Sequence, residues 1–276
     1  MRLRSFLFVP GDRTERFAKA AASGADAVII DLEDSVAPAQ KPLARDAIAD
    51  LSWGHAATLF IRVNPLATPD FLLDMQSIAA LRPYGILLPK AEGAASIATA
   101  AAALDAAGCG ATLILPIATE TPLGLFRLDS YTTVADRLCG LTWGAEDLPA
   151  AIGATTARTP DGRLTPPYEL VRALALFAAH AAGVAAVETV FPALRDPDAL
   201  RDYAAQARRD GFTGMMALHP DQVPVINAAF AATETEVAWA ERVIAAFADG
   251  KGVVEMDGRM LDQPHLKQAR AILDGF

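Results

Sequence analysis

Two carboxylates, Glu120 in Ile117-Ala118-Thr119-Glu120-Thr121-Pro122 and Asp147 in Trp143-Gly144-Ala145-Glu146-Asp147-Leu148, follow consecutive apolar runs of this chain. If those runs are neighbouring parallel strands, about 4.8 Å apart, both side chains reach one point in space. Two carboxylates held that close repel unless a cation lies between them. With oxygen donors and no cysteine or histidine nearby, that cation is expected to be Mg²⁺. The alternative is that each carboxylate caps a helix or pairs with an arginine.

Other residues able to do chemistry stand at the same kind of position. Arg62, in Phe60-Ile61-Arg62-Val63-Asn64-Pro65, has apolar neighbours, so burial is expected and a carboxylate partner is needed. That partner is either internal, Glu33 or Asp34, or a substrate carboxylate gripped in bidentate fashion. Lys90, in Leu88-Pro89-Lys90, would form a Schiff base if its pKa were depressed. Neutralisation of the acidic cluster is the favoured reading. Gly11-Asp12-Arg13, ahead of a helix, offers N–H groups and a cation to an anion. His219 is expected to shape the pocket, and His55, His180 and His265 have no partner at a telling spacing.

Eight short apolar runs precede these residues: Leu3–Val9, Ala27–Asp31, Leu59–Val63, Gly85–Lys90, Leu113–Thr119, Leu138–Trp143, Ala185–Val190 and Gly214–His219. Alanine-rich segments of helical length separate them. Strand alternating with helix eight times predicts a (β/α)8 TIM barrel, an α/β fold whose chemistry gathers at the C-terminal strand ends. Glu33, Asp34, Arg62, Asn64, Lys90, Glu120, Glu146, Asp147, Glu188 and His219 close these runs. Asp12, with Glu15 three residues on, has the spacing of a capping box for the first helix. After the eighth run the pattern changes. A helix over 235–247, a hairpin over 253–261 turning at Asp257-Gly258, and a helix from about Pro264 make a C-terminal extension. The division expected is a barrel over 1–234 and an extension over 235–276, the latter too small for its own core.

A chain of 276 residues, 53% hydrophobic, can fill one barrel-sized domain. Its net charge of −9 and lack of basic runs argue against a nucleic-acid partner or an anionic membrane surface. The first apolar run is too short to span a bilayer. Two cysteines form no ligand spacing and suit a reducing cytoplasm.

Together these segments resemble the citrate lyase β-subunit-like family, within the HpcH/HpaI aldolases and citrate lyases. The resemblance rests on Leu7-Phe8-Val9-Pro10-Gly11-Asp12-Arg13, Asp31-Leu32-Glu33-Asp34-Ser35-Val36, Ile61-Arg62-Val63-Asn64-Pro65, Leu88-Pro89-Lys90, Glu120-Thr121, Gly144-Ala145-Glu146-Asp147-Leu148, Leu218-His219-Pro220 and Asp257-Gly258-Arg259-Met260-Leu261-Asp262. It implies a Mg²⁺-dependent carbon–carbon lyase acting on acyl-CoA thioesters of the malyl-, citramalyl- or citryl-CoA type, releasing a 2-oxo acid. By that pattern Glu120 and Asp147 bind the metal, Arg62 holds the substrate and its enolate, and Arg13 and Lys19 contact CoA. The base is expected, from the site's own residues, to be a carboxylate at or near Glu33 or Asp34 acting through water. Asp262 reaches a neighbour's active site, so the extension becomes a lid in a homotrimer or hexamer. Pro122-Leu123, Val187-Glu188-Thr189 and Met215-Met216 depart from the pattern and alter the pocket. The two rival readings are a Schiff-base aldolase using Lys90 and a non-catalytic assembly subunit of a lyase complex.

Overall fold

The computed structural model describes residues 3–250 and 252–274. They form two compact units, dividing at Phe230.

The first unit, Leu3–Ala229, is built on eight parallel strands: β1 (Ser5–Pro10), β2 (Ala27–Asp31), β3 (Thr58–Arg62), β4 (Gly85–Leu88), β5 (Leu113–Pro116), β6 (Gly140–Thr142), β7 (Ala185–Glu188) and β8 (Gly214–Ala217). Each falls within a predicted run or within one residue of it. The hydrogen-bonded order β5-β4-β3-β2-β1-β8-β7-β6 leaves one seam. Isolated bridges Ile114↔Leu138 and Ile117↔Thr142 span that seam between β5 and β6, so the sheet is a nearly closed barrel. Parallel neighbours require crossovers, and helices such as Ala94–Ala106, Pro166–Ala182 and Pro197–Asp210 provide them.

Strand parity decides what faces the barrel axis, because alternate side chains point to opposite faces. Phe6, Ala27, Ile29, Phe60, Leu87, Leu115, Ile117, Val187 and Met216 form the interior cluster. Asp31 continues the Ala27–Ile29 alternation and Arg62 follows Phe60, so both point inward just above this apolar plug. By the same alternation Glu188, next to Val187, faces the helices.

The first helix departs from expectation. A short 3-10 turn, Thr14–Arg16, leads into Phe17–Ala21, and Arg13 occupies the cap position with no side-chain cap. Asp12 therefore forms no capping box with Glu15. The Gly11 N–H donates to Asp31 O at 2.8 Å and the Arg13 N–H to Pro10 O at 3.1 Å. These donors are spent inside the protein rather than offered to an anion.

In the second unit, helix Glu234–Ala246 starts at Thr233, whose reciprocal bonds with Glu236 make a complete capping box. Strands β9 (Val254–Met256) and β10 (Arg259–Leu261) pair antiparallel around Asp257 and Gly258, both at positive φ, as a type I′-like turn requires. Helix Gln263–Asp274 follows. Ala240, Val243, Phe247, Leu261, Leu266 and Ala269 pack together, which corrects the expectation that this extension lacks a core. Two amphipathic helices and a hairpin cover one another's apolar faces. Among the described residues no helix is long and apolar enough to cross a membrane.

Candidate active site

A cavity of about 340 Å³ opens at the C-terminal ends of the strands. Its floor is the top of the interior cluster, with Phe8, Ile117 and Met216 among its lining. Its charged lining is Asp31, Asp34, Arg62, Glu120, Glu146 and Asp147.

Arg62 is fixed first. Asp31 and Arg62 are register partners across β2 and β3, both inward-facing, and the guanidinium donates from Nε and Nη2 to the two Asp31 oxygens at 2.6 Å each. Its Nη1 lies 3.0 Å from Glu33 Oε2 and 3.8 Å from Asp34 Oδ2. The Phe8 ring lies beneath, 5.1 Å from Cζ. Burial alone would favour the neutral forms, but pairing outweighs it: the Arg62 pKa is raised and the Asp31 pKa is lowered. The sequence named Glu33 and Asp34 as partners and missed Asp31, the principal one. Inward parity with Ala27 and Ile29 was the available signal.

Glu120 is buried, and burial above all, with the charges of Asp147 and Glu33, pushes its pKa up to about 8. The Lys90 N–H opposes this by donating to Glu120 Oε2 at 2.5 Å. Gly144 makes room for Glu120: a Cβ there would come within 2.6 Å of Glu120 Cγ. Asp147, at the start of helix Asp147–Ile152, lines the same cavity from the next strand end. Two acidic oxygen donors, Glu120 and Asp147, line the one cavity. Such a donor set fits a hard divalent cation.

Lys90 adopts a left-handed backbone at φ 51°, unusual for a residue with a Cβ. Its Nζ donates to Glu33 Oε1 at 2.7 Å and stands 3.8 Å from Asp147 Oδ1. Burial alone would lower its pKa, but the hydrogen bond and charge of Glu33, with Glu120, reverse this and raise it. That is the opposite of what a Schiff-base lysine needs. Glu33 is pushed upward by burial, against the pull of Arg62 and Lys90.

Other predicted residues lie elsewhere. Arg13 and Lys19 are exposed and do not line the cavity; Arg13 stands 3.9 Å from Asp12. Asn64 is consumed structurally, its Nδ2 donating to Leu32 O and Asp74 Oδ2. Glu188 is fully buried, accepting from Trp143 Nε1 at 2.5 Å, Arg172 Nε at 2.7 Å and the Tyr203 hydroxyl at 3.1 Å. It thereby fixes the Trp143 indole that walls the cavity. His219 is exposed and stands 3.5 Å from Asp221. Asp262 belongs to the second unit, and His265, which the sequence left without a role, sits 2.6 Å from Asp262 Oδ1. Their i,i+3 spacing was the signal. A larger cleft of about 880 Å³, walled by Arg158, Glu169, Arg172 and Tyr203, holds none of the predicted residues.

A family model described as HpcH/HpaI aldolase/citrate lyase matches residues 4–220. A citrate lyase subunit beta-like protein of Mycobacterium tuberculosis is 38% identical over 272 residues, spanning 97% of this chain and 93% of that protein. A (3S)-malyl-CoA thioesterase of Cereibacter sphaeroides is 32% identical over 278 residues, spanning 98% of this chain and 93% of that protein. The crystal structure of CitE from Mycobacterium tuberculosis in complex with magnesium, acetoacetate and coenzyme A superposes with a TM-score of 0.87. It is 36% identical, with 99% of this chain and 98% of that one covered.

Proposed function

The chain belongs to the HpcH/HpaI aldolase/citrate lyase family, and from that premise we propose that it is a Mg²⁺-dependent carbon–carbon lyase. Its substrate is a 3-hydroxyacyl-CoA of the malyl-, citramalyl- or citryl-CoA type, cleaved to acetyl-CoA and a 2-oxo acid. The observation that carries this reading is the convergence of Glu120, Asp147 and the fixed guanidinium of Arg62 on one cavity at the strand ends. Glu120 and Asp147 would hold a divalent ion, which when bound would supply Lewis acidity toward the substrate's oxygens.

Within that frame the protein's own residues have distinct tasks. Glu33 or Asp34, acting through water, takes the hydroxyl proton; the upward push on Glu33 brings it nearer the range a general base needs. The bond between the hydroxyl-bearing carbon and the carbon next to the thioester then breaks. The oxygen becomes the new oxo group, and the bonding pair passes into the thioester enolate. Arg62, already oriented by Asp31, stabilises that enolate, a donor role worth about 3–4 kcal/mol. Asp262, supplied by a neighbouring copy in a homotrimer or hexamer, protonates the enolate carbon. Arg13 and Lys19 are assigned to the nucleotide end of CoA.

The test is incubation of the purified chain with malyl-, citramalyl- and citryl-CoA. Release of acetyl-CoA and a 2-oxo acid, lost with EDTA and restored by Mg²⁺, is expected. Free thiol without an oxo acid would mean thioester hydrolysis and overturn the proposal. EDTA-resistant cleavage with borohydride trapping on Lys90 would favour the Schiff-base reading. Inertness toward all three free thioesters would favour the assembly-subunit reading.

A further inference from the structure

One residue reaches both Glu120 and Asp147 on the cavity lining and the buried Glu33 beside them. The left-handed backbone of Lys90 turns its N–H onto Glu120 Oε2. Its side chain runs back to place Nζ 2.7 Å from Glu33 Oε1 and 3.8 Å from Asp147 Oδ1. Strain at a functional site persists where surrounding contacts over-determine it. Here the same residue supplies both the anchor for Glu120 and a compact positive charge amid the carboxylates, with two separate atoms doing two separate jobs.

We propose that Lys90 is an internal counter-ion of the metal centre. Its ammonium holds Glu33 and Asp147 in place before a divalent ion arrives and then opposes that ion, keeping it weakly held and exchangeable. The inference rests on the reading of Glu120 and Asp147 as metal ligands. The charges facing Nζ are those of Glu33, Asp34, Glu120 and Asp147, with Arg62 on the far side of Glu33. With Asp31, which Arg62 grips, five acidic groups stand against two cations, so the acidic groups outnumber the cations and a divalent ion can be taken up. An ammonium lodged among the same oxygens opposes such an ion electrostatically, and the Lys90 N–H bond to Glu120 keeps the residue's backbone beside the site.

Isothermal titration of the full-length protein with Mg²⁺, and with Mn²⁺ as a second probe, tests this. Lys90→Met keeps the stem and the backbone while removing the charge. It should bind either ion about tenfold more tightly at low salt, the scale of a divalent charge relieved of a unit charge a few ångströms away. The difference should shrink as salt is raised. Lys90→Arg, which keeps the charge, should stay within about twofold of the wild type. Thermal melts should show Lys90→Met less stable than wild type in EDTA and brought level by saturating Mg²⁺. If the wild type binds but Lys90→Met binds no more tightly, the counter-ion role fails while the ligand assignment stands. If the wild type binds neither ion at millimolar concentration, both fail together. A variant that does not fold would show no cooperative melt; Lys90→Gln then replaces it in the same titration, with the same tightening expected.

Discussion

Replacing Glu120 with glutamine removes a carboxyl that the fold holds neutral at a cost. Its pKa in the folded chain is about 8 against an ordinary 4.5, chiefly through burial and secondarily through Asp147 and Glu33. Below pH 4.5 the group is protonated whether the chain is folded or not, and it contributes no pH dependence. Between pH 4.5 and 8 the unfolded chain ionises while the folded one resists, so stability falls as pH rises. Above 8 the loss is complete. At about 1.4 kcal/mol per decade of proton concentration, the full window amounts to at most about 5 kcal/mol. Glu33 and Asp74 shift the same way and Asp31 the other way, so the informative quantity is the difference between wild type and Glu120→Gln. Urea unfolding in EDTA at pH 5 and pH 8 should show the wild type losing more stability than the variant over that interval. Saturating Mg²⁺ at pH 8 should restore the wild type and leave Glu120→Gln unchanged. Equal pH slopes for the two proteins in EDTA would refute the argument that Glu120 is held above its ordinary range.

Three further outcomes follow from particular contacts. Asp31→Asn breaks the bidentate grip on Arg62 and should destabilise by about 3 kcal/mol, the lower end for a broken buried pair because Glu33 remains beside Nη1; urea denaturation measures it, and turnover should fall as well. Gly144→Ala sets a Cβ against Glu120 Cγ and should cost about 1–3 kcal/mol while weakening Mg²⁺ binding in titration. Asp262→Asn should lower turnover at least ~10²-fold. Mixing it with Glu120→Gln under conditions of subunit exchange should restore about a quarter of the wild-type rate if Asp262 acts on a neighbour, and none if it acts within its own chain.

The eight strands were legible because a strand buried on both faces must be a short run of apolar residues, as Val28-Ile29-Ile30 shows. The hairpin at Asp257-Gly258 was legible because few residue pairs tolerate positive φ twice in succession. Glu120, Asp147, Arg62, Asp34 and Glu146 were legible as lining because they close runs that must end on the same rim. Partnership was another matter. Asp31 and Arg62 meet through strand register, thirty-one residues apart in the chain, and a strand's register is fixed by its neighbour rather than by itself. Glu188 closes a run like the others, yet parity turns it toward Trp143, Arg172 and Tyr203, where it became a buried structural carboxylate. Asp12 had the residue type and spacing of a cap, but the backbone there makes a 3-10 turn held by Gly11 and Arg13 bonds to β1 and β2. Local sequence thus determined which segments are strands and which residues stand at their ends, since those depend on each residue's own preferences. The tertiary structure alone decided which charges pair, which stay buried and which face the cavity, since long-range contacts set those energies.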